Sequence, residues 1–449
     1  MGPRGARTLE RVSEERLLDV AVVGGGPAGM AAALAASRDG ASVTLIDEYA
    51  APGGQIWRRR FDEVSDAAPR SLPRSGRARC AALAESDVTI LPGSTVWAAP
   101  EPGLLLLAGP VASLRAGAVV LATGAYDRPV AFPGWTLPGV MTAGGAQALA
   151  KGQDVSPGRR VLLAGAGPFL LPVAEQLSAR GAEVVVVEAT RRRDWLRAGP
   201  RMLAHPGRLV AYARYRARVR RIIWGHVLVR ADGDDRVRSA TIAPAGPDWA
   251  PAGGERTFEV DAVCTAYGFT PSVELARALG CELADDAVAH DEDMRTSVPN
   301  VFVAGEATGI GGADLALVEG ELAGHAAAAR GTQRELGALR RRRAKLAGFA
   351  QILSDLFDPR PGLLGLADAG TVLCRCEDVT AGAIDAAVAG GATTASALKI
   401  VTRCGQGPCQ GRTCERIVCE RLPEPERFSA RAPIRPITLD VLMDSSSTA

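Results

Sequence analysis

Histidine and aromatic side chains are scarce in this chain, with four His among 449 residues and an aromatic content of 4%. His205, His226, His290 and His325 neither pair with a nucleophile nor fall at metal-ligand spacing, and His325 reads as a packed or capping histidine. Recognition of single-stranded nucleic acid needs interleaved stacking residues, which the basic run Arg340–Arg343 lacks, so no nucleic-acid role is expected. Charge of either sign is also not in excess: 52 basic against 50 acidic residues leave +2, which implies no overall field for nucleic acid or a membrane. No apolar run is long enough to span a bilayer, and the first twenty residues hold no signal-peptide core. The expected location is cytoplasmic, where clustered cysteines bind metal or do redox work rather than form disulfides.

The length leaves room for three domains. From Asp19 to Asp47 an apolar strand meets a glycine turn, then an Ala-rich helix, then a second strand ending in an acid. Gly24, Gly26 and Gly29 fit G-x-G-x-x-G in that context: one glycine for the turn, one for close approach of a diphosphate, one for helix–strand packing. The diphosphate would sit at the positive end of the helix, and Asp47, 23 residues after Gly24, is placed to bond a ribose hydroxyl pair. The pattern returns over Arg160–Glu188, with Gly165, Gly167 and Glu188 in register and Pro168 matching Pro27. Leu170 replaces the third glycine and Pro172 follows, which should push the helix off the strand and loosen the diphosphate cradle. A second nucleotide fold is expected, with its occupancy by NAD(P) or another adenine nucleotide left open. Arg191–Arg193 read as a solvated charge run, with a ribose phosphate as the alternative.

Two further segments carry glycine-rich turns: Val119–Trp135, and Ser297–Gly324, where a strand delivers Gly305 and Glu306 to the top of a sheet. Together these segments resemble the two-dinucleotide-domain flavoproteins of glutathione reductase and thioredoxin reductase type. The resemblance implies that Gly24, Gly26, Gly29 and Asp47 hold the ADP half of FAD. It further implies that Thr123 and Gly124 lie on the crossing segment, and that Gly305 and Glu306 close over ribityl and flavin. Glu306 stands where most relatives have Asp. The turn holding Gly54 and Gln55 resembles the flavin-proximal turn of the same group. No redox-active cysteine pair lies in either nucleotide segment, so disulfide exchange is excluded. Cys80, Cys264 and Cys281 stand singly and read as packing residues.

Six of the nine cysteines fall between Leu373 and Cys419. An amphipathic helix is expected over Glu335–Phe357, broken at Asp358–Gly362 before the cysteine module begins. Thiolates gathered from two tight loops suit an iron–sulfur cluster, and a zinc site is the alternative. The run resembles the bacterioferritin-associated ferredoxin domain, a small helical [2Fe–2S] fold. By that match Cys374, Cys376, Cys404 and Cys409 are the ligands, with Cys414 the alternative to Cys409. Gly405, Gly407 and Gly411 would offer main-chain amides to the sulfurs.

The combination resembles the alpha subunits of opine oxidases, D-hydroxyproline dehydrogenases and hydrogen cyanide synthases. The resemblance implies a hetero-oligomer in which a D-amino-acid-oxidase-like FAD subunit oxidises the amine or imino acid. A small ferredoxin-like subunit would complete the complex, and this chain would transfer the electrons. A carboxylate-binding Arg with an aromatic wall, as amine oxidation needs, does not emerge from only five Tyr. A stand-alone NAD(P)H-dependent oxidoreductase passing electrons to a ferredoxin or quinone is the alternative, and a nucleotide-binding scaffold a third. The expected fold class is α/β, with two Rossmann-like dinucleotide domains of glutathione reductase type and a small helical C-terminal iron–sulfur domain. The expected divisions are an FAD domain over residues 17–130 and 260–330 and a second nucleotide domain over 131–259. A helical linker (331–370), the cluster domain (371–425) and an extended, Pro-rich tail (426–449) suited to wrapping a partner follow.

Overall fold

The computed structural model describes residues 18–424, 426–428 and 430–446. The first seventeen residues, which hold most of the stretch read for a signal peptide, lie outside the described residues, as do 425, 429 and 447–449 in the tail.

The first unit is built on parallel strands in the order Thr89–Leu91, Val43–Ile46, Leu18–Val23, Ser113–Leu121 and Val301–Val303. An antiparallel extension, Thr95–Glu101 and Leu104–Ala108, is carried on Ser113–Leu121. Buried apolar runs such as Val20–Val22 make these interior strands, covered on both faces as a parallel sheet requires. Helix Pro27–Arg38 is Ala-rich because its neighbour, Ala313–Ala327, lies almost against its main chain. A Cβ on Gly320 would come within 2.1 Å of the Ala28 carbonyl oxygen, and one on Gly324 within 2.3 Å of that of Ala32. The late segment of the chain thereby completes the sheet and helix layer begun at Leu18.

The second unit repeats the plan, with parallel strands Arg221–Trp224, Glu183–Glu188, Arg160–Gly165, Ala262–Ala266 and Val140–Thr142. A three-stranded antiparallel sheet, His226–Asp232, Ser239–Pro244 and Arg256–Glu259, is appended. The two crossing segments pair with each other, Ala125–Asp127 against Phe269–Pro271.

The helix expected from Glu335 starts at Gln333 and ends at Phe357, because Thr332 and Glu335 form a reciprocal capping box. Two of its arginines are engaged: Arg340 with Asp293, and Arg343 with the buried Glu319. The cysteine module holds the hairpin Val372–Cys374/Val379–Thr380 and helices Ala381–Ala389, Ala395–Thr402 and Glu415–Cys419. Its buried residues, among them Leu373, Ile384 and Val418, form one continuous core with Val130, Phe132 and Trp249 of the second unit. Trp135 donates its indole N–H to the Val372 carbonyl at 2.6 Å, pinning the hairpin to that unit.

The tail differs from the expected partner-wrapping arm. It is extended only up to Thr438 and ends in helix Leu439–Ser446. Its middle packs on its own chain: Ile434 is buried and donates its N–H to Trp97, while Arg435 bonds the Tyr126 hydroxyl. An apolar residue beside a basic one finds a groove and an acceptor within the first unit, which a composition-based reading of the tail could not reveal.

The close helix pair leaves no room for a side chain. Gly324→Val should destabilise the fold by about 3 kcal/mol or more, the upper range of overpacking, and a thermal midpoint unchanged from the parent would contradict this packing.

Candidate functional site

One cavity of about 2080 Å³ runs along both units. It is lined by Gly24, Gly26, Asp47, Gly54, Gln55, Thr123, Gly124 and Glu306 from the first, and by Gly167 and Phe169 from the second. It reaches Arg416 and Glu420 beside the cysteine module and Arg435 of the tail. Of the residues singled out in the nucleotide segments, Gly29, Gly305, Gly165 and Glu188 support the cavity from behind.

The first fingerprint forms a complete cradle. The Met30 amide closes an i→i−4 bond on the Gly26 carbonyl at 2.9 Å, so the helix is regular from its first turn and its free amides point outward. Gly29 permits this, since a Cβ there would lie 1.8 Å from the Gly24 carbonyl oxygen. Asp47 is buried beside the turn; its Oδ1 accepts the Tyr49 N–H at 3.0 Å, while its Oδ2 makes no hydrogen bond of good geometry. Burial raises its carboxyl to about 7, against the pull of the Tyr49 amide. A buried carboxylate oxygen that faces the Gly25 amide without a hydrogen bond of good geometry fits a ribose diol, whose hydroxyls would supply a donor.

A second buried acid lines the cavity at the turn after strand Val301–Val303. Glu306 Oε1 accepts the Gly312 N–H at 2.9 Å and Oε2 has no partner; burial lifts its carboxyl to about 7. The Glu306 side chain caps the glycine turn preceding helix Ala313–Ala327. Gly305 donates its N–H to Glu319 Oε2 at 3.0 Å, and Thr308 bonds the same oxygen at 2.9 Å. Glu319 Oε1 receives Arg343 Nε at 3.0 Å, and Arg343 meets His290 Nε2 at 3.1 Å. Gln55 spans Tyr49 and Arg58, and its carbonyl accepts from Lys151 Nζ at 3.1 Å. Thr123 donates its hydroxyl to the Ser272 carbonyl at 2.6 Å, which fixes the crossing segment and leaves Gly124 facing open space.

The second fingerprint also faces the cavity, through Gly167 and Phe169, but is more heavily engaged by its own chain. Leu170 is accommodated in the core, and the helix begins only there; the amides of Leu170 and Leu171 reach back three residues, to Gly167 and Pro168. Glu188 is fully engaged: Oε2 accepts the Gly167 N–H at 3.1 Å, and Oε1 accepts the Thr190 N–H and hydroxyl, each at 2.9 Å. Phe357 covers Gly167, where an added Cβ would lie 3.4 Å from its ring. Phe357 stacks edge-on with Trp195 at 5.3 Å, and Trp195 with Trp224 at 6.1 Å.

Among the described residues no group of three or more His, Cys, Asp or Glu side chains is arranged about one metal position. Among the module's thiols Cys374 interacts most strongly with Cys414, and Cys376 with Cys409, while Cys404 also lies within reach of Cys374 and Cys414. The Cys414 thiol, followed by the amides of Gly405, Glu377 and Cys376, draws Cys374 down to about 5 in spite of burial, while Cys414 itself is pushed up. Cys404 is buried as well, its N–H bonded to the Thr402 hydroxyl at 3.3 Å, and burial raises its thiol. Gly407 lies against Cys376, where a Cβ would come within 2.3 Å of the cysteine's own. Cys80, Cys264 and Cys281 are buried in apolar cores. His325 bonds Asp39 at 2.7 Å and joins two helix ends.

Sequence reasoning missed Glu319, Arg343, Arg435 and Ser272. Their signal, a charged or polar residue within an apolar pattern, was present only for Glu319, which lies among Leu315, Val318 and Leu322 on its helix.

Two dinucleotide folds about a continuous cavity, the first with an open cradle and an unpaired acid, define an FAD-dependent oxidoreductase. Residues 18–330 match the pyridine nucleotide-disulphide oxidoreductase family. The chain belongs to that family and, within it, to the group that holds subunits of opine oxidase and of hydrogen cyanide synthase. It is 34% identical to an opine oxidase subunit from Agrobacterium tumefaciens, over 96% of this chain and 92% of that one. With the hydrogen cyanide synthase subunit HcnB of Pseudomonas aeruginosa the identity is 33%, over 89% and 92%. The fold is similar to that of L-proline dehydrogenase from P. horikoshii, with a TM-score of 0.68 and 21% identity over 95% of this chain and 79% of that one.

Ionising Asp47 opposes folding, because its folded carboxyl titrates near 7 against an ordinary value of 3.8. The stability of the cofactor-free protein should therefore fall as pH rises from about 4 to about 7. Asp47→Asn should relieve roughly 4 kcal/mol of charge burial at high pH, so that its melting advantage over the parent is larger at pH 8 than at pH 5. The same variant should bind an adenine dinucleotide at least tenfold more weakly; unchanged affinity in a dialysis titration would remove Asp47 from the site.

Proposed function

We propose that this chain is the electron-transferring alpha subunit of a heteromeric amino- or imino-acid dehydrogenase, its substrate oxidised on a partner FAD subunit. The observation that carries this reading is the asymmetry of the two fingerprints. One offers free helix amides and an unpaired carboxylate oxygen, while the other spends its acid on its own turn and is covered by Phe357. A protein that drew electrons from NAD(P)H would need the second cradle open.

Gly24, Gly26 and Gly29, the first helix turn and Asp47 would hold the ADP half of FAD. Gly54, Gln55, Thr123, Gly124, Gly305 and Glu306 would hold the flavin half. Bound there, FAD would supply the conversion of an electron pair into single electrons. The two thiol pairs match the ligand division of a [2Fe–2S] cluster, two sulfurs to each iron. On this reading the ligands are Cys374, Cys376, Cys409 and Cys414, with Cys414 taken in place of Cys404. The amides around Cys374 already stabilise its thiolate, as a ligand requires. Both relatives are named as subunits, one of opine oxidase and one of hydrogen cyanide synthase, which supports a hetero-oligomer.

Anaerobic visible spectra of the purified chain test the assignment. Flavin and cluster bands should be present and should stay oxidised when NADH is added; bleaching would make the chain a reductase in its own right, and a colourless protein would make it a scaffold. Cys376→Ser and Cys414→Ser should each abolish the cluster bands while flavin is retained, and Cys404→Ser should keep both. Cluster bands surviving in Cys414→Ser would return the fourth position to Cys404.

A further inference from the structure

The first unit's end of the cavity is completed by a segment that follows the cysteine module in the chain. Ile434 is buried in one core with Val23 and Ile46, the residues that precede Gly24 and Asp47 on their strands. The tail therefore lies at the carboxyl ends of the parallel strands, where open α/β sheets take their ligands. Its main chain is held twice: the Ile434 N–H donates to the Trp97 carbonyl at 2.8 Å, and the Ile434 carbonyl accepts from the Arg412 guanidinium. Ile434 and Arg435 line the cavity with Ser94 and Val96, and Ser94 donates its N–H to the Asp47 carbonyl at 2.9 Å.

With Ile434 anchoring the tail, the Arg435 side chain is available to the cavity. It is 17% exposed, and it bonds the Tyr126 hydroxyl and, at 3.3 Å, Ser272 Oγ. Glu274 Oε1 stands 3.9 Å away, and the charge also faces Glu48, the residue after Asp47. Two hydroxyls occupy only part of a guanidinium fork. Ser272 ties Arg435 to the crossing segment, because its N–H donates to the Gly124 carbonyl at 2.9 Å and its carbonyl accepts from Thr123. Gly24 packs directly on that segment, where an added Cβ would lie 2.3 Å from the Ala122 carbonyl oxygen. One fixed cation is thus linked to both the glycine turn and the acid of the first fingerprint.

We infer that Arg435 is a binding residue for the ADP half of a dinucleotide in the first unit, held in position by Arg412 of the cysteine loop. The inference rests on the reading that FAD occupies that fingerprint. Residues Gly24–Gly29 carry no charged side chain, so the turn meets a diphosphate with amides and helix dipole alone. Arginine adds a full charge in a fork that matches phosphate oxygens, and a guanidinium already fixed by two hydroxyls loses little freedom on binding. Arg412 lies outside the cavity lining; its N–H bonds the Cys409 carbonyl at 3.2 Å, within the loop Cys409–Cys414. It is a positioning residue, acting on the nucleotide only through the tail.

Equilibrium dialysis of the flavin-free full chain against ADP, FAD and adenosine tests this. Arg435→Gln should weaken ADP and FAD about tenfold or more, and should leave adenosine, which has no phosphate, bound as by the parent. Arg435→Lys, which keeps the charge without the fork, should fall between the two. It serves the same comparison where the Gln variant does not fold by circular dichroism. Arg412→Gln should also weaken ADP, and adding it to Arg435→Gln should weaken binding no further, since both act through one contact. Folded Arg435 variants that bind ADP like the parent, an equal loss for adenosine, or additive losses from Arg412 and Arg435 would overturn the inference. If Asp47→Asn weakens FAD while Arg435→Gln does not, Arg435 alone leaves the site and the FAD reading stands. A parent chain that binds neither ADP nor FAD would overturn both.

Discussion

Helix Pro27–Arg38 and helix Ala313–Ala327 approach until main chain meets main chain, through Ala28, Ala32, Gly320 and Gly324. Nearly three hundred residues separate these helices, and their contact brings the late Gly305–Glu306 turn over the first fingerprint. Glu319, on the same late helix, then fixes that turn through the Gly305 amide and Thr308 and ties it to Arg343. A buried carboxylate is tolerated there because an arginine and two donors surround it. The shape of the cavity beside Glu306 follows from this chain of contacts.

The two dinucleotide units are alike in strand order and acid placement, yet differ in what the acid does. Asp47 is one methylene shorter than Glu188 and leaves one oxygen unpaired beside its turn. Glu188 reaches the Gly167 amide and closes its own loop. Leu170 adds to this, since the helix begins late and its first amides turn back on the chain rather than toward a ligand. Repetition of a fold therefore does not carry repetition of a site: Glu188 is satisfied on both oxygens by its own loop, whereas Asp47 keeps one oxygen without a hydrogen bond of good geometry.

The cysteine module is joined to the second unit by a common core, by the Trp135–Val372 hydrogen bond and by Arg375 stacked 5.4 Å from the Trp135 ring. Arg277 pairs with Glu415 at 3.2 Å, and Arg416 with Asp286 at 2.6 Å, so the module also grips the crossing region of the first unit. Arg435 enters the same region from the tail and meets Tyr126 and Ser272. Rigid attachment at several points holds the thiol pairs at a set place relative to the cavity.

Strand–turn–helix patterning, two glycine fingerprints, their terminal acids and the clustering of six cysteines are local properties of the sequence, and they determined the α/β fold class and most candidate residues of the first site. The helix to Phe357 was legible for the same reason, as were Cys80, Cys264 and Cys281 as packing residues. Which oxygen of which acid is left unpaired, which thiols face each other, and which aromatic ring covers Gly167 depend on contacts between residues far apart in the chain, and spacing carries no record of those. Local periodicity set the elements, and long-range burial and hydrogen bonding decided which of their side chains remain available for chemistry.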